Sequence, residues 1–282
     1  MPPESGVEIP KEVQEWQEPK TNKQEEPKDK FDLELFENFN RTETEQFTET
    51  NKKLFDFTKE VGEKFSVGDQ SEIYDACMLM FTLHMYQKDR PDKSPYVEHP
   101  LNVAVKVIRM MANPDKDLAI AALLHDAVED QSGKLALLAE NSQANETEEV
   151  KALGEIARKY GERVRQIVSG LSNPDFEKVL SERGVNKENP EYQSAKNKMY
   201  AEHVQEAIKD PDVLVIKLAD FSENALRLSE LPEDTIERKQ RKQQFIAKYL
   251  PVMKIFIDKI EREQIFPEYI EKLKTEYNKF NQ

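Results

Sequence analysis

The stretch AALLHDAVED, at positions 121–130, constrains the fold of this chain more than any other. It opens with small and branched apolar residues, which a helix can bury on most of its circumference, and then changes abruptly to ionisable ones. At helical spacing, His125 lies over Glu129 and Asp126 lies over Asp130, so one helix would bring an imidazole and three carboxylates together. Such crowding raises the pKa values of the acids and costs stability unless a cation balances them. We therefore predict a metal ion beside this helix.

The composition favours an all-α protein. Glycine is scarce, with 8 residues in 282, and charged residues make up 34% of the chain, a balance that is more typical of helix bundles than of sandwiches or barrels. The formal charge of −14 disfavours binding to nucleic acid or to an anionic membrane, because both depend on clusters of Lys and Arg. A small anionic ligand needs only a local positive site and stays compatible with this charge.

The cysteine count and the absence of apolar runs favour a cytoplasmic protein. Cys77 is the single cysteine, so no intrachain disulfide can form and a reducing compartment is expected. The N-terminal residues MPPESGVEIPKEVQEW lack the apolar core of a signal peptide. No run approaches transmembrane length, so we expect no membrane partner. The sequence leaves homo-oligomerisation open.

The domain organisation follows from a change in composition near residue 30. Residues 1–30 hold five prolines among Glu, Lys and Gln, with Trp16 as the one large apolar side chain, and we predict a disordered tail. Trp16 is either a docking point for a partner or an isolated aromatic residue. We predict one helical domain over 31–282, with its motifs in 81–231 and closing helices within 232–282. Apolar periodicity predicts helices over 71–87, 100–111, 117–130, 148–160, 162–171, 191–209, 212–231, 234–262 and 267–280.

Four side chains distant in sequence form a candidate ligand set. His99 precedes Pro100 at a junction between a loop and a helix, His125 and Asp126 are adjacent, and Asp220 ends the apolar run VLVIKLA. Two imidazoles and two carboxylates suit Mn²⁺, Fe²⁺ or Zn²⁺ and leave room for water.

From about Phe81 to Leu231 the chain resembles the HD-domain hydrolases, in particular the (p)ppGpp hydrolase domain of RelA/SpoT-type proteins and the small alarmone hydrolases. The resemblance lies in HMYQKDRPDKSPYVEHPLNVA, AALLHDAVED, YGERVRQIVSGLSN and VIKLADFSEN. It implies an HD-type helical bundle that binds one divalent ion, usually Mn²⁺, through His99, His125, Asp126 and Asp220. It also implies that Glu129 and Asp130 handle the water that attacks the 3′-pyrophosphate of (p)ppGpp, so that pyrophosphate and a guanine nucleotide are released.

The resemblance also indicates a substrate-binding side, for which we predict Lys88, Arg90, Tyr96 and Asn224. Lys88 and Arg90 would supply positive charge in an acidic protein, and Asn224, one turn after Asp220, could hydrogen-bond a phosphate or the ribose. The chain departs from the family pattern at five positions, one of which is Arg227, which lies three residues after Asn224 where the family arginine lies two residues after it. Phe221 and Glu223 replace the arginine and histidine of LADRxHN, Gln131 stands where EDT is usual, and Asp89 lies in a segment that is normally basic.

These features leave three functional hypotheses. The first is hydrolysis of (p)ppGpp without synthesis, because a synthetase domain needs far more sequence after Leu231 than the chain has. The second is an HD phosphohydrolase for another nucleotide or a phosphorylated cofactor, which the altered positions would fit. The third is a catalytically degenerate HD module that binds a nucleotide or a partner. With only His203 between the HD pair and Asp220, a single-metal site is favoured over the multi-metal sites of cyclic dinucleotide phosphodiesterases.

Overall fold

The chain folds into α-helices joined by short turns, as seen in a computed structural model that describes residues 48–90, 94–139, 145–226 and 228–281. The predicted all-α class is confirmed, and the described residues contain no strand. The predicted tail, residues 1–30, lies outside the described residues. The helices are α1 (48–64), α2 (Val67–His84), α3 (Glu98–Met110), α4 (Lys116–Leu123), α5 (Ala127–Leu138), α6 (Glu148–Tyr160), α7 (Glu162–Leu171), α8 (Phe176–Glu182), α9 (Tyr192–Ala207), α10 (Pro211–Ala225), α11 (Ile236–Glu263) and α12 (Pro267–Asn278), with a 3₁₀ turn at Leu228–Glu230.

Local capping signals set several helix ends. The side chains of Asp115, Thr147 and Asp210 accept hydrogen bonds from the first backbone N–H groups of α4, α6 and α10, which would otherwise lack partners. Gly161 separates α6 from α7 with a φ of 95°, a conformation that side chains with a Cβ rarely adopt. The predicted break between these two helices is therefore confirmed.

Three segments of the structure differ from the predicted helices. The helix predicted over 117–130 is two helices, α4 and α5, separated by a turn at 124–126. Beyond Asp130, where the predicted helix ends, α5 continues to Leu138 through non-helical dihedral angles at Gln131 (φ −135°, ψ 23°). The stretch 172–190, which lies between two predicted helices, also contains a helix, α8.

Helix α10 lies between two hydrophobic clusters, and this position explains why the run VLVIKLA is apolar except for Lys217, whose ammonium group donates to the carbonyl oxygen of Leu171. Val213, Ile216 and Ala219 pack into a cluster built mainly from α1–α7. Leu214 and Leu218 pack into a second cluster with α9, α11 and α12. Because α10 is buried on both sides, its register is fixed, and so are the positions of the polar residues near its C-terminal end.

Among the described helices, none combines the length and the apolar character that a bilayer-spanning segment requires.

Candidate metal centre and adjoining cavity

The turn between α4 and α5 positions His125 and Asp126. The His125 Nδ1–H group donates a hydrogen bond to the carbonyl oxygen of Ala122 over 2.8 Å. The imidazole thus supplies a hydrogen-bond donor at the C-terminal end of α4, where carbonyl groups lack helical partners. The N–H of Ala127 then donates to the carbonyl of Leu124 over 3.0 Å and closes the turn. In a continuous helix, adjacent side chains diverge by about 100°. The turn lets His125 and Asp126 reach the same point, and the prediction of one unbroken helix through Asp130 was wrong for this reason.

The four predicted metal ligands lie together. Nε2 of His99 is 3.3 Å from Nε2 of His125 and 3.1 Å from Oδ1 of Asp220. Oδ2 of Asp126 is 3.1 Å from Nε2 of His125 and 3.7 Å from Nε2 of His99. Both imidazoles are buried, with 4% of each side chain exposed, whereas the carboxylates are 22% and 23% exposed. α3, the α4–α5 turn and α10 therefore place two imidazoles and two carboxylates around one point that solvent can reach.

These groups shift one another's pKa values. Burial alone would lower the pKa of His125, but the Asp126 carboxylate outweighs it and raises the pKa to about 9. Burial alone would raise the pKa of Asp126, yet His125 holds it well below its usual range. The pKa of Asp220 is likewise lowered, against its burial, by the contact with His99. Both carboxylates therefore stay ionised and the cluster attracts positive charge.

The donor set fits a divalent cation. Because a carbonyl can only accept, the bond to Ala122 fixes one hydrogen of His125 on Nδ1, so a cation that displaces the second proton would bind the lone pair of Nε2. That lone pair faces Nε2 of His99 and the oxygens of Asp126 and Asp220. Ligand atoms of His99, His125 and Asp220 all lie within 4.8 Å of one another, a spacing that one ion can bridge. The cluster is a candidate site for a divalent metal.

Tyr96 contacts this cluster directly. Its hydroxyl donates to Oδ2 of Asp126 over 2.5 Å, and its ring stacks on His84 with the ring centroids 5.1 Å apart. Burial and the charge of Asp126 raise the pKa of Tyr96, so the phenol keeps the proton that it donates. The sequence predicted Tyr96 as a substrate contact, and in the structure its hydrogen bond is to a predicted metal ligand.

Hydrogen bonds from outside the HD motif hold Glu129 and Asp130. Asn173 donates to Oε2 of Glu129 through its backbone N–H over 3.1 Å and its side-chain amide over 2.9 Å. Burial and the charge of Asp126 raise the pKa of Glu129, and the bonds from Asn173 oppose that rise. Asp130 accepts from the Gln87 side chain over 2.8 Å. Sequence reasoning missed Asn173 and Gln87, because each lies more than forty residues from its partner.

Two of the four predicted substrate contacts are linked to Asp220. Nη2 of Arg90 donates to Oδ1 of Asn224, and Nδ2 of Asn224 donates to Oδ1 of Asp220, each over 2.8 Å. Arg90, Asn224 and His99 line a cavity of about 1520 Å³ that extends between α3, α10, α11 and α12. Lys88 is exposed on the loop after α2.

Three of the residues that depart from the family pattern make defined contacts in the structure. Phe221 is buried in the second cluster, with its ring centroid 4.9 Å from that of Phe256. Glu223 forms an ion pair with Lys106 at 2.6 Å on the wall of the cavity. Gln131 donates to the Oε1 atom of Gln87 over 2.7 Å and so supports the residue that holds Asp130.

Comparison with known proteins finds relatives of similar sequence. A guanosine-3′,5′-bis(diphosphate) 3′-pyrophosphohydrolase from Aquifex aeolicus is 28% identical over 197 residues, which cover 67% of this chain and 23% of the relative. A probable GTP pyrophosphokinase from Mycobacterium leprae is 29% identical over 154 residues, which cover 54% of this chain and 15% of the relative. The chain thus spans less than a quarter of the length of these curated relatives.

A solved structure supports the fold. A metazoan ortholog of SpoT, reported to hydrolyse ppGpp and to play a role in starvation responses, matches with a TM-score of 0.50 at 19% identity, covering 74% of this chain and 94% of that one. At this identity the likeness concerns the fold alone. Residues 76–250, well over half of the chain, match the HD domain family, and the chain belongs to that family.

Proposed function

We propose that the chain is a metal-dependent nucleotide phosphohydrolase that removes the 3′-pyrophosphate of guanosine 3′,5′-bispyrophosphate. The observation that carries the proposal is the convergence of His99, His125, Asp126 and Asp220 at one point, with Glu129 and Asp130 following in the next helix turn. The activity in the name of the Aquifex aeolicus relative, a 3′-pyrophosphohydrolase of guanosine 3′,5′-bis(diphosphate), supports this choice of substrate.

We propose Mn²⁺ as the ion, with Fe²⁺ and Zn²⁺ as alternatives that the same ligands accept. Bound at this site, a divalent ion would supply Lewis acidity to the phosphoryl group and lower the pKa of water. The four protein ligands come from three elements, so the helical packing pre-organises the site before substrate arrives.

Glu129 is the proposed general base. Its raised pKa brings it closer to neutrality, where a base removes a proton most effectively, and Asn173 fixes its orientation. The water oxygen bonds to phosphorus, its proton passes to Glu129, and the bond between phosphorus and the 3′-oxygen breaks. The 3′-oxygen takes up a proton, and pyrophosphate is released with a guanosine 5′-diphosphate. Asp130, held by Gln87, orients the water.

Positive and polar groups at the mouth of the site would bind the substrate. Arg90, oriented by Asn224, would neutralise phosphate charge, and the exposed Lys88 can swing toward the same phosphates. Tyr96 would act through Asp126 or on the substrate directly. The partner is thus a small nucleotide, and we propose a cytoplasmic location. A partner for the N-terminal tail and homo-oligomerisation stay predictions.

One observation favours a second substrate. Because Glu223 pairs with Lys106, a cation on the cavity wall is neutralised at a position where the family pattern has no acid. Another nucleotide, such as a 3′-phosphorylated dinucleotide cofactor, carries less phosphate charge than a bispyrophosphate. It needs fewer cations around it and would suit a cavity wall on which Lys106 is neutralised.

The test is hydrolysis of a nucleotide panel by the purified full chain with Mn²⁺. Pyrophosphate release from ppGpp, lost in Asp126→Ala and in Glu129→Ala, is the expected result. Orthophosphate release from another nucleotide with ppGpp untouched would replace the first substrate by the second. Mn²⁺ binding without turnover of any nucleotide would reject the hydrolase proposal and support an HD module that only binds its ligand.

A further inference from the structure

Three side chains of α11 form a continuous face on the wall of the cavity. Arg241, Phe245 and Tyr249 are spaced by four residues, so they follow one another along one side of the helix. The rings of Phe245 and Tyr249 are nearly parallel, with centroids 6.0 Å apart and planes at 28°. The Arg241 guanidinium lies 5.6 Å from the centroid of the Phe245 ring. We call these three residues the α11 face.

The α11 face and the candidate metal centre share one cavity. The lining that includes His99, Arg90 and Asn224 also includes Arg241, Phe245 and Tyr249. Tyr249 is the end of the face nearest the centre, because its ring is 5.8 Å from that of Phe221, the residue after Asp220. A rise of about 1.5 Å per residue places Arg241 roughly 12 Å further along the helix. The distance along α11 from Tyr249 to Arg241 suits a nucleotide that has phosphate groups on both the 3′ and the 5′ side.

The cavity has two guanidinium groups that are not paired with acids. Most cations on its wall are neutralised, as in Lys106 with Glu223, Arg109 with Glu60 and Lys242 with Glu233. Within the described parts of the chain, Arg90 and Arg241 form no ion pair with a carboxylate. Arg90 lies at the end with Asn224, and Arg241 lies at the far end of the α11 face. A ligand with an anionic group at each end would complement them.

The aromatic pair has a plain structural explanation as well. Phe245 and Tyr249 are partly buried and pack against the second hydrophobic cluster. That packing needs apolar volume, and it accounts neither for the exposed part of Phe245 on a polar cavity nor for the unpaired cation above the ring. A flat aromatic surface with an adjacent guanidinium is the arrangement on which a nucleobase stacks.

We infer that the α11 face binds the nucleoside end of the substrate, with the base stacked on Phe245 and the 5′-phosphate groups on Arg241. The inference rests on the proposed function and extends it by assigning the residues that bind the base and the 5′-phosphate groups of the substrate. Arg241 would then select for the 5′-phosphates and Phe245 for the base, while the 3′ group lies at the metal centre.

Two variants and two substrates test this assignment. Arg241→Met should raise KM roughly ten-fold for guanosine 3′,5′-bispyrophosphate and leave KM unchanged for guanosine 3′-pyrophosphate, which lacks the 5′ group. Phe245→Leu, which keeps the apolar packing, should raise KM roughly ten-fold for both, and Phe245→Tyr should restore it. In each case kcat should stay within about two-fold, since neither residue reaches the reacting atoms. Arg262→Met, an exposed arginine on the same helix, is the matched control.

The outcomes separate the subsite from the activity. Turnover with unchanged KM in both variants, or an equal effect of Arg241→Met on both substrates, rejects the α11 face as a subsite and leaves the hydrolase proposal intact. If the wild-type chain hydrolyses neither substrate, equilibrium dialysis with guanosine 3′,5′-bispyrophosphate decides. Weaker binding by both variants than by the wild type supports the face while the hydrolase proposal fails. Equal binding, or no binding by the wild type, rejects the face.

Discussion

The backbone N–H and the side-chain amide of Asn173 both donate to Oε2 of Glu129, over 3.1 and 2.9 Å. The loop between α7 and α8 thereby holds a carboxylate of the HD motif. The two bonds favour the ionised form of Glu129, against burial and the charge of Asp126, which raise its pKa.

Asn173→Ala should therefore shift the pH dependence of kcat. Loss of the side-chain hydrogen bond raises the pKa of Glu129 further, so the base is protonated at a higher pH and the acidic limb of the profile moves up by about one unit. At pH values above that limb, much of the activity should return. Asn186→Ala, in an exposed loop, is the control. A uniform drop in kcat with an unmoved limb would mean that Asn173 does not act through the base.

Tyr96→Phe distinguishes two roles for this residue. If the hydroxyl orients Asp126 as a metal ligand, its removal should weaken Mn²⁺ binding by roughly ten-fold and leave the KM for nucleotide at saturating Mn²⁺ unchanged. The measurement is calorimetric titration with Mn²⁺ together with steady-state kinetics. Tyr86→Phe, which removes a largely exposed hydroxyl, is the control. A raised KM with unaltered Mn²⁺ affinity would restore the substrate-contact role that the sequence predicted.

Metal binding should stabilise the folded chain. An ion that binds only the folded state at about 100 times its Kd adds about 2.7 kcal/mol to the free energy of unfolding. Asp220→Asn removes a charged ligand and should abolish that increment, whereas Asp258→Asn, on an exposed part of α11, should keep it. Urea denaturation with and without Mn²⁺ measures the difference. Equal stabilisation of Asp220→Asn and the wild type would locate the ion elsewhere.

The sequence predicted the parts of this structure that depend on local signals. Gly161 marks the end of one helix because its backbone conformation excludes most other residues, and the residue types of His99, His125, Asp126 and Asp220 predict a metal site before any distance is known.

The features that the sequence did not predict depend on tertiary contacts, and such contacts leave no periodic pattern in the sequence. The apolar run before His125 is fully compatible with a continuous helix, and the break appears only because the His125 ring bonds to Ala122. The supports of Glu129 and Asp130 come from segments brought near by packing, so no spacing could reveal them. Phe221 likewise departs from the family motif because it fills the second cluster, which is built largely from residues after the motif.

The last prediction concerns the buried carboxylate of Glu98, which precedes His99 in the chain. Glu98, with 2% of its surface exposed, accepts hydrogen bonds from Thr50 over 2.6 Å and from Lys53, and so ties α1 to the start of α3. Lys53→Met should lower the free energy of unfolding by about 2 kcal/mol, since it leaves a buried charge without its cation while Thr50 still donates.

Glu98→Gln in the Lys53→Met background should recover part of this loss, because the neutral amide needs no counter-charge. Lys52→Met, at an exposed position on the same helix, should change stability by less than about 0.5 kcal/mol. Urea denaturation of the four proteins gives the values. A Lys53→Met variant as stable as the Lys52→Met control would show that the ion pair between Lys53 and Glu98 contributes nothing to the free energy of unfolding.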